Sequence, residues 1–365
     1  MLTGFDDYPV HQTAEPVAQP STGDRNFYDR YFFNGFSRTG DLFFAAALGL
    51  YPNRRVMDAA FSVVRDGRQH VVRASRLAPV ERRQPRVGPI FVEVLEPLRA
   101  LHVRVSDNEI GLSADLAFYA RTGAIEEPRF TFRNAGRLVM DSTRLTQFGF
   151  WEGYIRLAGD ELSIFPDRTP GTRDRSWGVR PIGEPEGGAP GLPPQFFWLW
   201  APLHFDERCT HAAFNEDAEG RRWHASGSIA PAGRLDEGAP EAMARVDHRV
   251  RWQPKTRRAA GAEITLTPHG RAPVVVSLEP ILTFQMRGLG YLDPEWGHGM
   301  WKGADVVDGV TWTLADLDPM DPRHLHVQQL CRARTGADEG LGVLEQLVIG
   351  PHAPSGFASI LDPAS

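Results

Sequence analysis

Met57-Asp58-Ala59-Ala60-Phe61-Ser62-Val63-Val64-Arg65-Asp66-Gly67-Arg68-Gln69-His70-Val71-Val72-Arg73-Ala74 carries the reading of the fold. Two apolar runs, residues 57–64 and 69–74, flank Asp66-Gly67, a pair that tolerates the positive φ of a tight turn. The stretch therefore predicts a β-hairpin. The same texture extends on both sides: apolar runs at 31–36, 42–50, 90–96, 101–105, 109–112 and 114–120 are punctuated by Gly, Asn or Asp. Leu101-His102-Val103-Arg104-Val105 alternates with period two, as a strand with one wet face does. With 36 Gly and 29 Pro in 365 residues, helices of ordinary length do not persist. The regular spacing of short strands predicts an all-β chain of sandwiches or barrels.

Length and composition suit two domains, with 42% hydrophobic and 10% aromatic residues to fill their cores. Residues 1–25 are polar and proline-rich and read as an arm. Residues 181–194, dominated by Pro, Gly and Glu and without an apolar period, read as a linker or long surface loop. This places one β domain at 26–190 and a second at 191–365, the latter with apolar runs from 195–204 to 341–349.

A net charge of −6 argues against a nucleic-acid partner. Cys209 and Cys331 form no framework, which suits a reducing cytoplasm, and no run is long and apolar enough for a transmembrane helix. The N-terminus lacks the pattern of a signal peptide, so a soluble, unprocessed chain is expected. Lys255 and Lys302 are the only lysines, leaving little scope for Schiff-base chemistry. Walker-type, G-x-G-x-x-G, G-x-S-x-G and H-E-x-x-H signatures are missing, so no cofactor is expected. His324-x-His326 lacks a third ligand nearby, and no metal is expected either.

The phrase D-x-x-W-G occurs twice, at Asp174–Gly178 and Asp293–Gly297, and two like-built halves are its simplest explanation. Around the second copy Tyr291, Asp293, Glu295, Trp296, His298 and Trp301 gather titratable groups beside indoles, the material of an apolar acid–base pocket. No Arg or Lys lies between Gly288 and Trp301, so Asp293 and Glu295 are expected to be raised in pKa and to act as acids. Around the first copy Arg173, Arg175 and Arg180 surround Asp174 and Trp177; Asp174 is expected to be lowered and to stay ionised. Trp198 and Trp200, with Phe196, share one face of a strand, and Trp151 and Tyr154 precede the first motif, so these rings are candidate substrate contacts. Each also has a plain structural use, as turn cap or core.

Tyr31-Phe32-Phe33-Asn34-Gly35-Phe36, the Asp174–Arg180 segment and Gly290-Tyr291-Leu292-Asp293-Pro294-Glu295-Trp296-Gly297-His298-Gly299 together resemble the two-domain lipocalin-like superfamily of carotenoid 1,2-hydratases, AttH-type proteins and kievitone hydratase. The resemblance covers about residues 25–350. It implies two calyx-like antiparallel β-barrels side by side and cofactor-independent acid–base chemistry on an apolar isoprenoid or aromatic molecule. Asp174 and Trp177 match the hydratases' Asp-His-x-Trp phrase, whereas Arg175 stands where their His takes part in proton transfer. Trp198-Leu199-Trp200 stands where they have Tyr-x-Asp; Tyr291-Leu292-Asp293 has those letters, but in the second half.

The implied function is a lyase: a hydratase that protonates an alkene and captures the cation with water, or an eliminating enzyme that releases water or formaldehyde. A non-catalytic carrier of a hydrophobic ligand and an isomerase or cyclase are the competing readings. The oligomeric state is open, a homodimer included.

Overall fold

The computed structural model describes residues 1–184, 187–189, 191–233, 235 and 239–365. Part of the expected linker, Pro185, Glu186 and Pro190, lies outside the described residues. The chain is all-β, with 23 strands, six short 3-10 turns and no α-helix among the described residues. The hairpin forms as read, with strands Val56–Arg65 and Arg68–Leu77 joined through Asp66 (φ 50°) and Gly67 (φ 72°). Two consecutive positive φ values match the twist of the flanking strands.

The first antiparallel sheet has fourteen strands and runs, in order, Asp305–Thr313, Arg68–Leu77, Val56–Arg65, Leu42–Tyr51, Phe27–Phe36, Pro170–Val179, Arg137–Leu157, Leu112–Ala120, Ala100–Val105, Ile90–Glu96 and Arg86–Val87. Three short strands, among them Phe130–Asn134, pair with the long Arg137–Leu157. The second has nine, with Phe196–His204 and Asp338–Ile349 adjacent at its centre. One nearly closed barrel and one half-barrel result, two lipocalin-like domains. Strand Asp305–Thr313 comes from the later part of the chain and pairs with Arg68–Leu77, so it covers an edge of the first sheet.

Period-two alternation sorts most buried apolar side chains into three large cores, with a small fourth cluster of Ile125, Phe148, Cys209 and Ala230. Phe33, Phe44, Phe61, Val103, Phe118 and Trp151 fill the inside of the first sheet. Phe197, Leu199, Phe214, Ile264 and Val276 fill that of the second. Between the sheets Phe32, Phe36 and Phe43 pack on Trp198, Trp200, Phe284 and Val343. The interiors expected to be calyces are packed, and the large cavity lies elsewhere.

The repeated D-x-x-W-G phrase has no common structure. Asp174–Gly178 lies in strand Pro170–Val179, whereas Asp293 opens a turn in which its Oδ1 accepts from the amides of Glu295 and Trp296, both at 2.9 Å. The second phrase follows Leu292 at φ 55°, so no extended strand places Tyr291, Asp293 and Glu295 on one face. A five-letter match with two free positions does not require a common backbone.

Candidate functional site

A cavity of about 660 Å³ lies between the two sheets. Its first wall is a set of cross-strand neighbours. Arg30 pairs with Ser176, and Ser176 with Arg144, so strands Phe27–Phe36, Pro170–Val179 and Arg137–Leu157 present three residues in one row. In the next row Asp174 lies between Phe32 and Thr146. Phe130, opposite Ser142 on the adjoining strand, continues the wall. Phe196, Trp198, Glu345, Leu347 and Ile349 form the facing wall, and the segment from Gly290 to His298 brings in Tyr291 and His298.

Asp174 is one of three carboxyl side chains on the cavity wall, with Asp293 and Glu345. Among the described residues none hydrogen-bonds the Asp174 carboxyl, and burial pushes its pKa up to about 6, against the pull of Arg144 and Arg30. The sequence expectation of a lowered value is thus overturned. Arg173 and Arg175 adjoin it in sequence but project from the opposite face of the strand. Arg175 pairs with Asp29 and lies over the Tyr31 ring at 4.2 Å, outside the cavity lining.

Asp293 is corrected in the other direction. Burial would raise it, but the amides of Trp296 and Glu295 and the Arg287 guanidinium outweigh burial and hold its carboxyl below the usual range. Arg287 Nε donates to Oδ2 at 3.0 Å and Arg73 Nη1 at 3.3 Å. These arginines lie outside the cation-free stretch that motivated the expectation. Although Asp293 borders the cavity, its carboxylate is spent on this turn. Glu295 is exposed and does not line the cavity.

His298 is buried, and Arg180 donates to its Nδ1 while its own Nε2–H donates to the Leu289 carbonyl at 2.9 Å. Burial, with Arg30 and Arg180 beside it, keeps this imidazole neutral well below its ordinary pKa. Both nitrogens are engaged, so His298 is a fixture that aims Arg180. Tyr291 accepts at its hydroxyl from Arg30 Nη1 at 2.9 Å, and Arg30 and Arg180 lie 4.9 and 5.4 Å from its ring centre.

Of the expected substrate contacts, Trp198 lines the cavity, donating through Nε1 to Glu345 Oε1 at 2.9 Å. Trp200 packs on Phe32 and donates to His211 at 3.1 Å, and Trp151 sits in the first core with Nε1 on the Asn34 carbonyl at 2.8 Å. Tyr154 stacks beneath Arg156, away from the cavity. Trp177 and Trp301 are 40% and 50% exposed, and Trp296 is clasped between Arg73 and Lys302 beside a separate void of about 20 Å³.

Sequence reasoning missed Arg30, Arg144 and Glu345, weighed His326 only as a metal ligand beside His324, and saw Arg180 only as a neighbour of Trp177. Glu345 accepts from His326 Nε2 (2.7 Å), Trp198 Nε1 (2.9 Å) and Gln328 Nε2 (2.6 Å). Burial would raise it, but these donors prevail and keep it ionised. With Nε2–H donated to Glu345, the His326 Nδ1 lone pair has no protein partner. His324, its neighbour in the His-x-His pair, engages Arg287 and the Asp318 carbonyl instead. Among the described residues no three His, Cys, Asp or Glu side chains are grouped to hold a metal. The signal for Glu345 was available: a lone carboxylate inside an apolar strand must find partners when buried.

A nearly closed barrel and a half-barrel clasping a cavity of this kind define a two-domain lipocalin-like fold. The chain belongs to the family of unknown function DUF8625, matching it over residues 2–358. Among solved structures it is similar to an AttH-like protein from Nitrosomonas europaea, with 12% identity and a TM-score of 0.57 over 93% of this chain and 98% of that one. It is similar also to kievitone hydratase from Nectria haematococca (13%, TM-score 0.54, 87% and 88% covered) and to CghA solved with Sch210972 (9%, 0.53, 89% and 89%). At these identities the likeness is one of fold. No curated protein matches the sequence. No helix is long and apolar enough to cross a membrane among the described residues.

Proposed function

We propose that the protein is a lyase that adds or removes water, or a small carbonyl fragment such as formaldehyde, by acid–base chemistry on a hydrophobic terpenoid or aromatic molecule, with no cofactor. The observation that carries this reading is Asp174: an unbonded carboxyl facing a largely apolar cavity, with a pKa near 6 that suits proton exchange close to neutrality. Kievitone hydratase and CghA, by their names and contents, put a hydratase and a small-molecule binder on this fold, which supports the same class.

His326 is the complementary base. Glu345 fixes its tautomer and leaves Nδ1 unpartnered but buried, 4.5 Å ring to ring from Tyr291, so it takes a proton from a substrate seated against that ring. In the eliminating direction His326 removes a proton from carbon, Asp174 protonates the departing hydroxyl, the C–O bond breaks and water leaves with the alkene formed. Hydration is the reverse. A free carbocation fits poorly, because Arg144 lies 4.8 Å over Trp198 and 4.9 Å over Phe130, and guanidinium groups repel developing positive charge. Negative charge building on a carbonyl oxygen is the better match.

The test is mass spectrometry of the protein incubated with hydroxylated and unsaturated terpenoid and phenolic carbonyl compounds in water enriched in heavy oxygen. Gain of labelled water, or loss of water or formaldehyde, is expected, and Asp174→Asn and His326→Gln should each slow it by about 10²–10⁴-fold. Ligands retained tightly with unchanged mass across the panel would replace the lyase with a carrier.

A further inference from the structure

We infer that Arg30, Arg180 and Tyr291 form an anion site at one end of the cavity, and that the molecule bound there is an amphiphile with a carboxylate head and an apolar body. The inference rests on the proposed binding cavity, but not on turnover. Arg30 is 2% exposed, donates to the Tyr291 hydroxyl and, through Nη2, to the Leu289 carbonyl at 3.2 Å, and leaves its buried Nε without a partner. Arg180 is flanked by Tyr28 at 5.0 Å and Tyr291 at 5.4 Å and donates to His298.

Neither guanidinium forms an ion pair with a carboxylate among the described residues, whereas Arg144, on the same wall, is held by both oxygens of Glu127. The acids that feel Arg30, namely Asp58 and Asp174, are both shifted toward their neutral forms by burial. Two buried cations left in this state cost folding energy unless something else compensates them. A carboxylate placed at the phenol edge between them does so with charge-assisted hydrogen bonds.

Geometry then orders the rest of the ligand. Strand neighbours stand about 4.8 Å apart, so Asp174 is roughly one strand spacing from the strand that carries Arg30, and Phe130 about 14 Å from it. A ligand anchored at Arg30 and Arg180 lays the part nearest its carboxylate past Asp174 and its tail among Phe130, Phe132, Trp198 and Leu347. The proposed substrate class is therefore a hydroxylated or unsaturated carboxylic acid whose reacting bond lies a few atoms from the acid group.

Binding separates this inference from the catalytic one. Tryptophan fluorescence titrations at pH 8 compare dodecanoate with dodecanol, whose chains are equal and whose heads differ in charge. Dodecanoate should bind about tenfold tighter or more, and Arg30→Gln and Arg180→Gln should each remove about tenfold of that while leaving dodecanol within about twofold. Unchanged dodecanol affinity doubles as evidence that the variants are folded, and Arg180→Lys, which keeps the charge, should retain most of the preference. Equal affinity for acid and alcohol, no binding of either, or a preference that survives both glutamine variants overturns the anion site. Absence of turnover in the mass-spectrometric panel, with the preference intact, removes the lyase and leaves the anion site standing.

Discussion

Asp174 shows how a strand separates sequence neighbours from spatial ones. Arg173 and Arg175 flank it in the chain, yet alternation sends them to the other face, and the cations that reach it come from the adjoining strands. Burial outweighs them. A carboxyl whose folded pKa is raised from 3.8 to about 6 binds its proton more tightly in the native state. Stability then falls as pH rises through that window, because the unfolded chain ionises first. Asp174→Asn should therefore stabilise the protein by about 2–3 kcal/mol at pH 8, and the gain should vanish below about pH 4. Urea denaturation at both pH values checks this; destabilisation at pH 8 would show that the carboxylate is satisfied in the native state. Activity that depends on the protonated form should decline as pH rises above about 6.

At the scale of single elements, two strands hold the acid's row in place by close approach. A Cβ on Gly171 would meet the Asn34 carbonyl oxygen at 2.2 Å and Trp151 Nε1 at 2.3 Å, neither of which can yield without breaking the Trp151–Asn34 hydrogen bond. Gly171→Ala should cost about 1–3 kcal/mol in denaturant titrations, and Trp151→Ala about 3–5 kcal/mol by emptying the first core. A Trp151→Ala variant that remains stable but loses ligand affinity would return that indole to the site. Elements of this kind were legible in the sequence: the Asp66-Gly67 hairpin and the apolar alternation named the strands and the all-β class. What alternation cannot give is which sheet face looks inward and which looks across to the other sheet. Trp151 and Trp198 have the same appearance in sequence, yet one fills a barrel and the other lines a cavity. Arg30, Arg144, His326 and Glu345 come together from strands and turns far apart in the chain, so no local pattern could unite them.

The whole molecule is held by contacts that cross between the sheets. Gln69, on the first hairpin, exchanges two hydrogen bonds with the Gln285 backbone, its Nε2 donating to the carbonyl at 2.9 Å and its Oε1 accepting from the amide at 2.8 Å. Asn34 donates to Gln328 at 3.0 Å, and strand Asp305–Thr313 closes the first sheet's edge with residues from the later part of the chain. The apolar layer around Phe32, Phe43, Trp200 and Phe284 belongs to neither barrel alone. If one sheet opened while the other stayed folded, this layer and the paired edge would be exposed, so the two should lose structure together. Calorimetric and van't Hoff enthalpies should agree, and tryptophan fluorescence and far-ultraviolet circular dichroism should trace one transition. Gln69→Ala would leave the Gln285 amide and carbonyl without their partner and should lower that single transition by about 1–3 kcal/mol without splitting it. Two resolved transitions in the unmodified protein would mean that the interface is weaker than either barrel, and the cavity would then open by separation of the sheets.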